Sequence, residues 1–247
     1  MQLENRFYYF AGEIPKQTCE EIINLGTSAK LVEGTTGGGF SRKDRPKDAL
    51  PANTKTHKEI EKAGELDKYY VRDSKVSWLS QQWLYDLICP YIYEANKHAG
   101  WNFDVDWHEE FQFTTYQNTG FYSWHADGGS DWHGVYKKYI HGFTEARELK
   151  NGQLPKGYTH IPKFVGKVRK LSLTLNLTDP NDYEGGNLLF DYGSKDEGVG
   201  QTDEEIKVAR KQGTIIIFPS FIKHCISPVT KGTRYSLVNW TLGRPFR

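Results

Sequence analysis

The chain has 247 residues, with 32 Lys and Arg against 31 Asp and Glu, 37% hydrophobic and 14% aromatic residues. That length suits one domain of the larger all-β kind, and a formal charge of +1 supplies no global field to draw in nucleic acid or anionic lipid. No run approaches the roughly 18 to 20 apolar residues of a membrane span, and the start MQLENRFYYF lacks a signal-peptide pattern. Three widely separated cysteines, Cys19, Cys89 and Cys225, make neither a disulfide framework nor a CxxC zinc pattern, so a cytoplasmic location is expected.

Residues 15–27 predict a short helix, with Pro15 in its first turn, Cys19, Ile22 and Ile23 on one face and Gly26 as a C-terminal cap. Residues 34–58, with GTTGGGF and RKDRPKD, show no period and read as an exposed loop, mobile or functional. A second helix is predicted over 78–99, where Leu79, Trp83, Leu87 and Tyr91 form the stripe and Leu84, Ile88 and Ile92 lie beside it. Pro90 should kink or divide it near Cys89.

After Gly100 the texture changes to aromatic and β-branched runs: WNFDVDW, EFQFTTY, KLSLTLNLT, NLLFDY, TIIIFPS and RYSLVNWTL. These are strand signals, separated by Gly, Pro, Asp and Asn. Residues 131–170 hold nine basic residues against Asp131, Glu145 and Glu148, whereas 171–206 hold nine acidic residues against Lys195. Two patches of opposite sign therefore cancel in the total.

Chemistry-bearing residues concentrate in this second part. In FYSWHADGG, His125 and Asp127 stand two apart, and on a strand such residues face the same side. Asp106/His108 and Asp131/His133 have the same spacing, and any such pair alone reads more readily as a solvated strand or loop edge. His224, behind an apolar strand, singles out the first pair by offering a third ligand. Two histidines and one carboxylate on one face of a metal are the facial arrangement of non-haem Fe(II) oxygenases, although His224 by itself reads as a core histidine. Ten residues on, Arg234 opens a strand whose face continues through Ser236, Val238 and Trp240. A guanidinium with a neighbouring hydroxyl can hold a carboxylate. Ser172, Thr174 and Asn176 alternate with leucines and give another strand a polar face.

This ordered set, with Tyr116 nine residues before His125, Trp240 six after Arg234 and the stretch LSLTLNLTDPNDYEGGNLLF, resembles the Fe(II)- and 2-oxoglutarate-dependent dioxygenases. Within them it resembles the prolyl 4-hydroxylase-like branch that includes PKHD-type hydroxylases, over about residues 110–242. The resemblance implies a mainly β fold with flanking α-helices, a double-stranded β-helix of the jelly-roll, cupin-like kind. It implies a single catalytic domain over 1–247, with 1–100 as helical support and loop, and 101–247 as jelly-roll core with a basic insertion at 131–170. The helices would pack on the outer face of the larger sheet, and the loops at 34–58 and 131–170 would supply a substrate lid.

The same resemblance implies Fe(II) held by His125, Asp127 and His224, and 2-oxoglutarate as cosubstrate with O2. Arg234, Tyr116, Ser236, Thr174 and Trp240 would line or bind the cosubstrate pocket, with ascorbate as a reductant. The implied reaction hydroxylates an unactivated C–H bond, of peptidyl proline or a related amino-acid side chain, with succinate and CO2 as coproducts. Asp127 separates such hydroxylases from related halogenases, which lack the carboxylate. Arg234 stands where animal and algal prolyl hydroxylases have lysine, so the substrate class stays open between a peptide or protein and a free amino acid or small metabolite. A non-catalytic jelly-roll binding module is the reading from another class. Nucleic-acid demethylation is disfavoured, because Trp240 occupies the position of the second arginine in those enzymes. Cys225 is expected to be a packed thiol, and His57, His98, His133, His141 and His160 to be solvated.

Overall fold

The computed structural model describes residues 5–34, 72–128, 135–136, 138–139, 158–159, 161–191 and 201–246. The expected loop at 34–58 and most of the basic insertion lie outside these residues. Among them, two antiparallel sheets face each other. The larger has nine strands: a path β1 (Tyr8–Phe10), β13 (Ile215–Pro219), β10 (Val168–Asn176), β15 (Val229–Gly243), β6 (Phe111–Gln117), β4 (Lys75–Leu79) and β2 (Val32–Glu33), with β5 (Trp107–His108) and β11 (Tyr183–Gly185) also paired to β15. The smaller runs β12 (Leu188–Phe190), β14 (His224–Ile226), β7 (Phe121–His125) and β3 (Arg72–Asp73). A parallel pair, β8 (Lys138–Tyr139) and β9 (Tyr158–Thr159), stands apart. This is the expected jelly-roll architecture with helices flanking the larger sheet.

Strand alternation explains the layering, because successive side chains point to opposite faces. Leu171, Leu173 and Leu175 of β10, Ile215 and Ile217 of β13, Leu237 of β15, and Phe111 and Phe113 of β6 join one core with the helices α1 (Lys16–Ser28) and α2 (Gln82–His98). Ile216, Phe218 and Tyr116 point the other way, into a second cluster with Tyr183, Leu188, Phe190, Ile226 and Val229. The polar positions Ser172, Thr174, Asn176, Arg234 and Ser236 are buried on that same inner side. An apolar outer face anchors the sheet to its helices, which frees the inner face to carry chemistry.

Several elements differ from the sequence expectation. Pro15 caps α1 instead of standing in its first turn, and Gly26 lies inside the helix instead of ending it. Its reason is close approach: a Cβ at Gly26 would lie 2.2 Å from Cγ of Phe113, and the Gly26 carbonyl accepts a hydrogen bond from Ser77 Oγ at 2.8 Å. Gly26→Ala is therefore expected to destabilise the protein by about 1–3 kcal/mol through overpacking, despite alanine's better helix propensity. Urea unfolding of the variant checks this, and an unchanged midpoint would contradict the tight seam.

The predicted helix over 78–99 begins at Gln82 because Trp78 and Leu79 belong to β4. Its buried stripe is Leu84, Ile88, Ile92 and Ala95, whereas Trp83 is exposed. The helix runs unbroken through Pro90, an exposed position, where water can serve the carbonyl left without a donor. Of WNFDVDW, only Trp107 joins a strand. The sequence PVTKG reads as a turn, but all of it after Pro228 belongs to the first part of β15, where Gly232 at φ +73° pairs with Tyr183.

Cys19, Cys89 and Cys225 are buried and form no disulfide. Burial pushes the Cys19 and Cys89 thiols up to about 11, which leaves them protonated and unreactive at neutral pH. Among the described residues no helix is long and apolar enough to cross a membrane.

Candidate functional site

His125 ends β7 and His224 begins β14, and the two are direct partners across that ladder. Their ring centroids lie 4.2 Å apart. Asp127 stands two residues beyond the end of β7, so the pair does not share a strand face as the spacing suggested. A turn brings its carboxylate back to the histidines. His125 Nε2 lies 3.4 Å from Asp127 Oδ1, and His224 Nε2 lies 3.6 Å from Oδ2. One ligand atom from each residue falls within 4.8 Å of the others.

Both imidazoles are held by their other nitrogen. Nδ1 of His125 lies 2.8 Å from the Ser123 carbonyl oxygen, and Nδ1 of His224 lies 3.0 Å from that of Ile222. Donation of Nδ1–H to these carbonyls fixes the tautomer and turns the Nε2 lone pairs toward Asp127. Burial, with His125 adding to it, pushes His224 down to about 4, so it is neutral at physiological pH. Burial pushes the Asp127 carboxyl up, but the charges and hydrogen bond of the two histidines outweigh this and hold it well below the usual carboxylate range. Two bare imidazole nitrogens and one carboxylate form a donor set that fits a divalent metal with open positions opposite them.

Ser172 Oγ donates to Asp127 Oδ2 at 2.7 Å and meets Ser220 Oγ at 2.9 Å. The polar face of β10 thus points inward and braces a ligand. Tyr122 lies flat against His125, with centroids 3.5 Å apart and planes 17° apart, and Phe218 meets His224 edge-on at 4.6 Å.

Deeper between the sheets, Arg234 sits directly opposite Tyr116 across the β15–β6 ladder. It is 3% exposed, Tyr116 is also 3% exposed, and Arg234 Nη1 donates to Ser236 Oγ at 3.3 Å. Gly186, at φ +62°, closes the Glu-Gly-Gly turn over it, since a Cβ there would lie 2.9 Å from Arg234 Cδ. Among the described residues the acceptor found for Arg234 is a neutral hydroxyl. A buried guanidinium calls for an anion, and a dicarboxylate fits that requirement. Thr174 is buried beside Arg234's strand, opposite Val238, and Trp240 lies opposite Ser172.

Trp240 belongs to a group that the sequence did not reveal. Arg169 stacks on it with Cζ 3.9 Å from the ring centroid, and Arg169 binds Glu109 through Nε and Nη2 at 2.7 Å each. Arg169 Nη1 also reaches the Asp127 carbonyl at 3.4 Å. Sixty residues separate Arg169 from Glu109, and only the strand ladders bring them together. Arg169, counted in the basic insertion, is thereby a wall of the site. Arg72, equally unforeseen, packs over Tyr122 at 4.6 Å.

The competing Asp106/His108 pair does not converge. Asp106 binds Lys167 at 2.9 Å, while His108 meets Tyr93 at 2.8 Å and Thr241 at 3.0 Å. Asp131/His133 lies outside the described residues, as do His57, His141 and His160. His98 is exposed near Glu94.

Solved structures share this fold. The viral collagen prolyl hydroxylase of Paramecium Bursaria Chlorella virus-1, in its 2OG complex, matches with a TM-score of 0.52 at 15% identity over 97% of each chain. A Trichoplax adhaerens prolyl hydroxylase in complex with a hypoxia inducible factor peptide fragment matches with a TM-score of 0.54 at 12% identity, over 96% of this chain and 84% of that one. By sequence, a PKHD-type hydroxylase of Gloeothece citriformis is 30% identical over 106 residues, which is 43% of this chain and 40% of that protein. The chain thus spans well under two thirds of that relative's length. The family model of the 2OG-Fe(II) oxygenase superfamily matches residues 111–242, which include both histidines, the aspartate and the buried arginine. More than half of the chain falls inside that match, and the chain belongs to the 2OG-Fe(II) oxygenase superfamily.

Proposed function

We propose that the chain is an Fe(II)- and 2-oxoglutarate-dependent hydroxylase of an amino-acid side chain, with peptidyl proline or a related residue as substrate and succinate and CO2 as coproducts. The observation that carries this reading is the pairing, in one inter-sheet space, of the His125, Asp127 and His224 donor set with the buried, anion-seeking Arg234. Fe(II), 2-oxoglutarate and O2 together supply the oxidation, placing one oxygen atom in a substrate C–H bond and the other in succinate.

The chain's own residues do the holding. His125 and His224 offer their Nε2 atoms, and Asp127 offers a charge that Ser172 keeps oriented. Arg234, Ser236 and Tyr116 would take the distal carboxylate of the cosubstrate, with Thr174 on the wall between. Burial keeps the Tyr122 hydroxyl protonated by pushing it up to about 12, so it presents a neutral donor beside the metal position. Phe218 and Tyr122 exclude water from the two imidazoles.

A peptide substrate is favoured over a small metabolite by the aromatic ledge outside the site. Trp78 is 46% exposed although it touches buried Trp240, with centroids 6.2 Å apart. The Trp240 Nε1–H is buried and finds no acceptor among the described residues. An extended peptide would cover the exposed indole and offer a backbone carbonyl to the buried one. The two structural neighbours, a collagen prolyl hydroxylase and a prolyl hydroxylase with a peptide fragment, agree with this choice. Ascorbate as reductant and a cytoplasmic setting, suited to three buried cysteines without a disulfide, belong to the same proposal.

The test is turnover of proline-containing peptides with Fe(II), 2-oxoglutarate and O2, read as peptide-dependent succinate and a mass gain of one oxygen atom. Succinate formed only with free amino acids would replace the peptide reading. Failure of both iron and 2-oxoglutarate to bind would favour the binding module.

A further inference from the structure

The Glu-Gly-Gly turn that closes over Arg234 carries a buried phenol in need of a partner. Tyr183 begins β11 and is 2% exposed, and its hydroxyl makes no hydrogen bond among the described residues. A hydroxyl left in this way costs stability, because it has given up water and gained nothing in return. Its place ties it to the cosubstrate space. Tyr183 pairs across the β11–β15 ladder with Gly232, two residues before Arg234, and it lies in the same inner cluster as Tyr116, which pairs with Arg234 from β6. Gly186 brings the ring and the arginine together, since a Cβ there would lie 3.3 Å from Tyr183 Cε2 and 2.9 Å from Arg234 Cδ. Cε2 is bonded to the carbon that bears the hydroxyl, so the polar half of the ring flanks the arginine stem.

A second arginine fixes that ring. Arg210 ends the helix α3 (Asp203–Arg210), and its guanidinium lies over Tyr183 with Cζ 4.3 Å from the ring centroid. It donates to the carbonyl of Tyr183 at 2.9 Å, to that of Pro180 at 3.4 Å, to Asn187 Oδ1 at 2.8 Å and to the carbonyl of Gly185. One planar fork therefore holds the turn on both sides of Glu184, and the phenol is set in place before a ligand arrives.

We propose that Tyr183 is a further binding residue for the cosubstrate: its buried hydroxyl donates to the distal carboxylate that Arg234 holds. This rests on the 2-oxoglutarate reading above. A carboxylate offers about four lone-pair sites, so Arg234, Tyr116 and Tyr183 can bind it together. The consequence is selectivity, because a 2-oxo acid without a second carboxylate leaves the Tyr183 hydroxyl as unpartnered as before.

The experiment uses Tyr183→Phe, which keeps the ring and its stacking and removes only the oxygen. 2-Oxoglutarate or 2-oxobutyrate is added anaerobically to the Fe(II)-loaded protein, the visible charge-transfer band of a chelated 2-oxo acid is followed, and the metal-free protein is melted alongside. The variant is expected to bind 2-oxoglutarate about tenfold more weakly, the scale of a hydrogen bond to a charged group, with affinity for 2-oxobutyrate unchanged. Its metal-free form is expected to melt no lower than the wild type, because an unpartnered hydroxyl contributes nothing to the fold. Equal losses for both acids would overturn the proposal by making the oxygen a general packing element of the pocket. A lowered melting temperature would overturn it by showing that the hydroxyl has a partner without the cosubstrate. A wild-type protein that shows the band while the variant binds 2-oxoglutarate as tightly overturns this inference alone. A wild-type protein without the band overturns the functional reading and this inference with it.

Discussion

Asp127→Ala is expected to abolish iron-dependent turnover and to leave the apo protein folded. The carboxylate is the only charged donor of the three groups that converge, and the histidines alone would leave the metal with two neutral nitrogens. Loss of a partner that merely orients a ligand typically costs 10- to 100-fold in metal affinity, so loss of the ligand itself should cost more than about 100-fold. The fold survives for a local reason. Ser172 Oγ, which donates to Asp127, keeps Ser220 Oγ as its partner, so no hydroxyl is left stranded. The Asp127 main-chain contact to Arg169 does not depend on the side chain. Fe(II) titration beside a thermal melt separates the two effects, and retained iron affinity would remove Asp127 from the ligand set.

Arg234→Ala is expected to raise the 2-oxoglutarate requirement far more than the iron requirement. The substitution deletes a charge-assisted carboxylate contact worth about 1.5–3 kcal/mol, equivalent to about 10- to 100-fold in the apparent dissociation constant. Arg234 lies on β15 at the inner end of the space, and the metal donors lie on β7, β14 and the turn after β7, so iron affinity should hold. Arg234→Lys should recover part of the loss, since it restores charge without the planar fork. Charge-transfer titrations with both ligands check this. An unchanged cosubstrate dependence would move the carboxylate site elsewhere.

The legible parts of the site share one property, proximity along the chain. His125 and Asp127 lie two residues apart, and Arg234, Ser236 and Trp240 follow a single strand face. The period of two in β10 likewise announced a polar side at Ser172 and Thr174. What spacing could not supply was the partner of that side: Ser172 meets Asp127 from 45 residues away. The Asp127 turn shows a related limit, because the right residues were named while the geometry assigned to them, a shared strand face, belongs to no strand.

Errors in the helical region have a similar cause. Trp78 and Leu79 fit a helical spacing as readily as a strand, and pairing with Gln112 and Phe111 decided in favour of β4. Gly26 reads as a helix stop because glycine usually ends helices, but the ring of Phe113 across the seam is what requires it.

The sequence by itself determined the β-rich class, the ordered set of His125, Asp127 and His224, and the place of Arg234 on a strand after them, because alternation and spacing are properties of the chain alone. Tertiary structure alone decided which charges stand together. Glu109 with Arg169, and Arg72 with Gln112 and Tyr122, come from segments that meet only through ladder register and sheet packing. Burial then converts those meetings into chemistry, since a guanidinium that would be an ordinary surface charge in water becomes, between two sheets, a group that must find an acceptor or an anion.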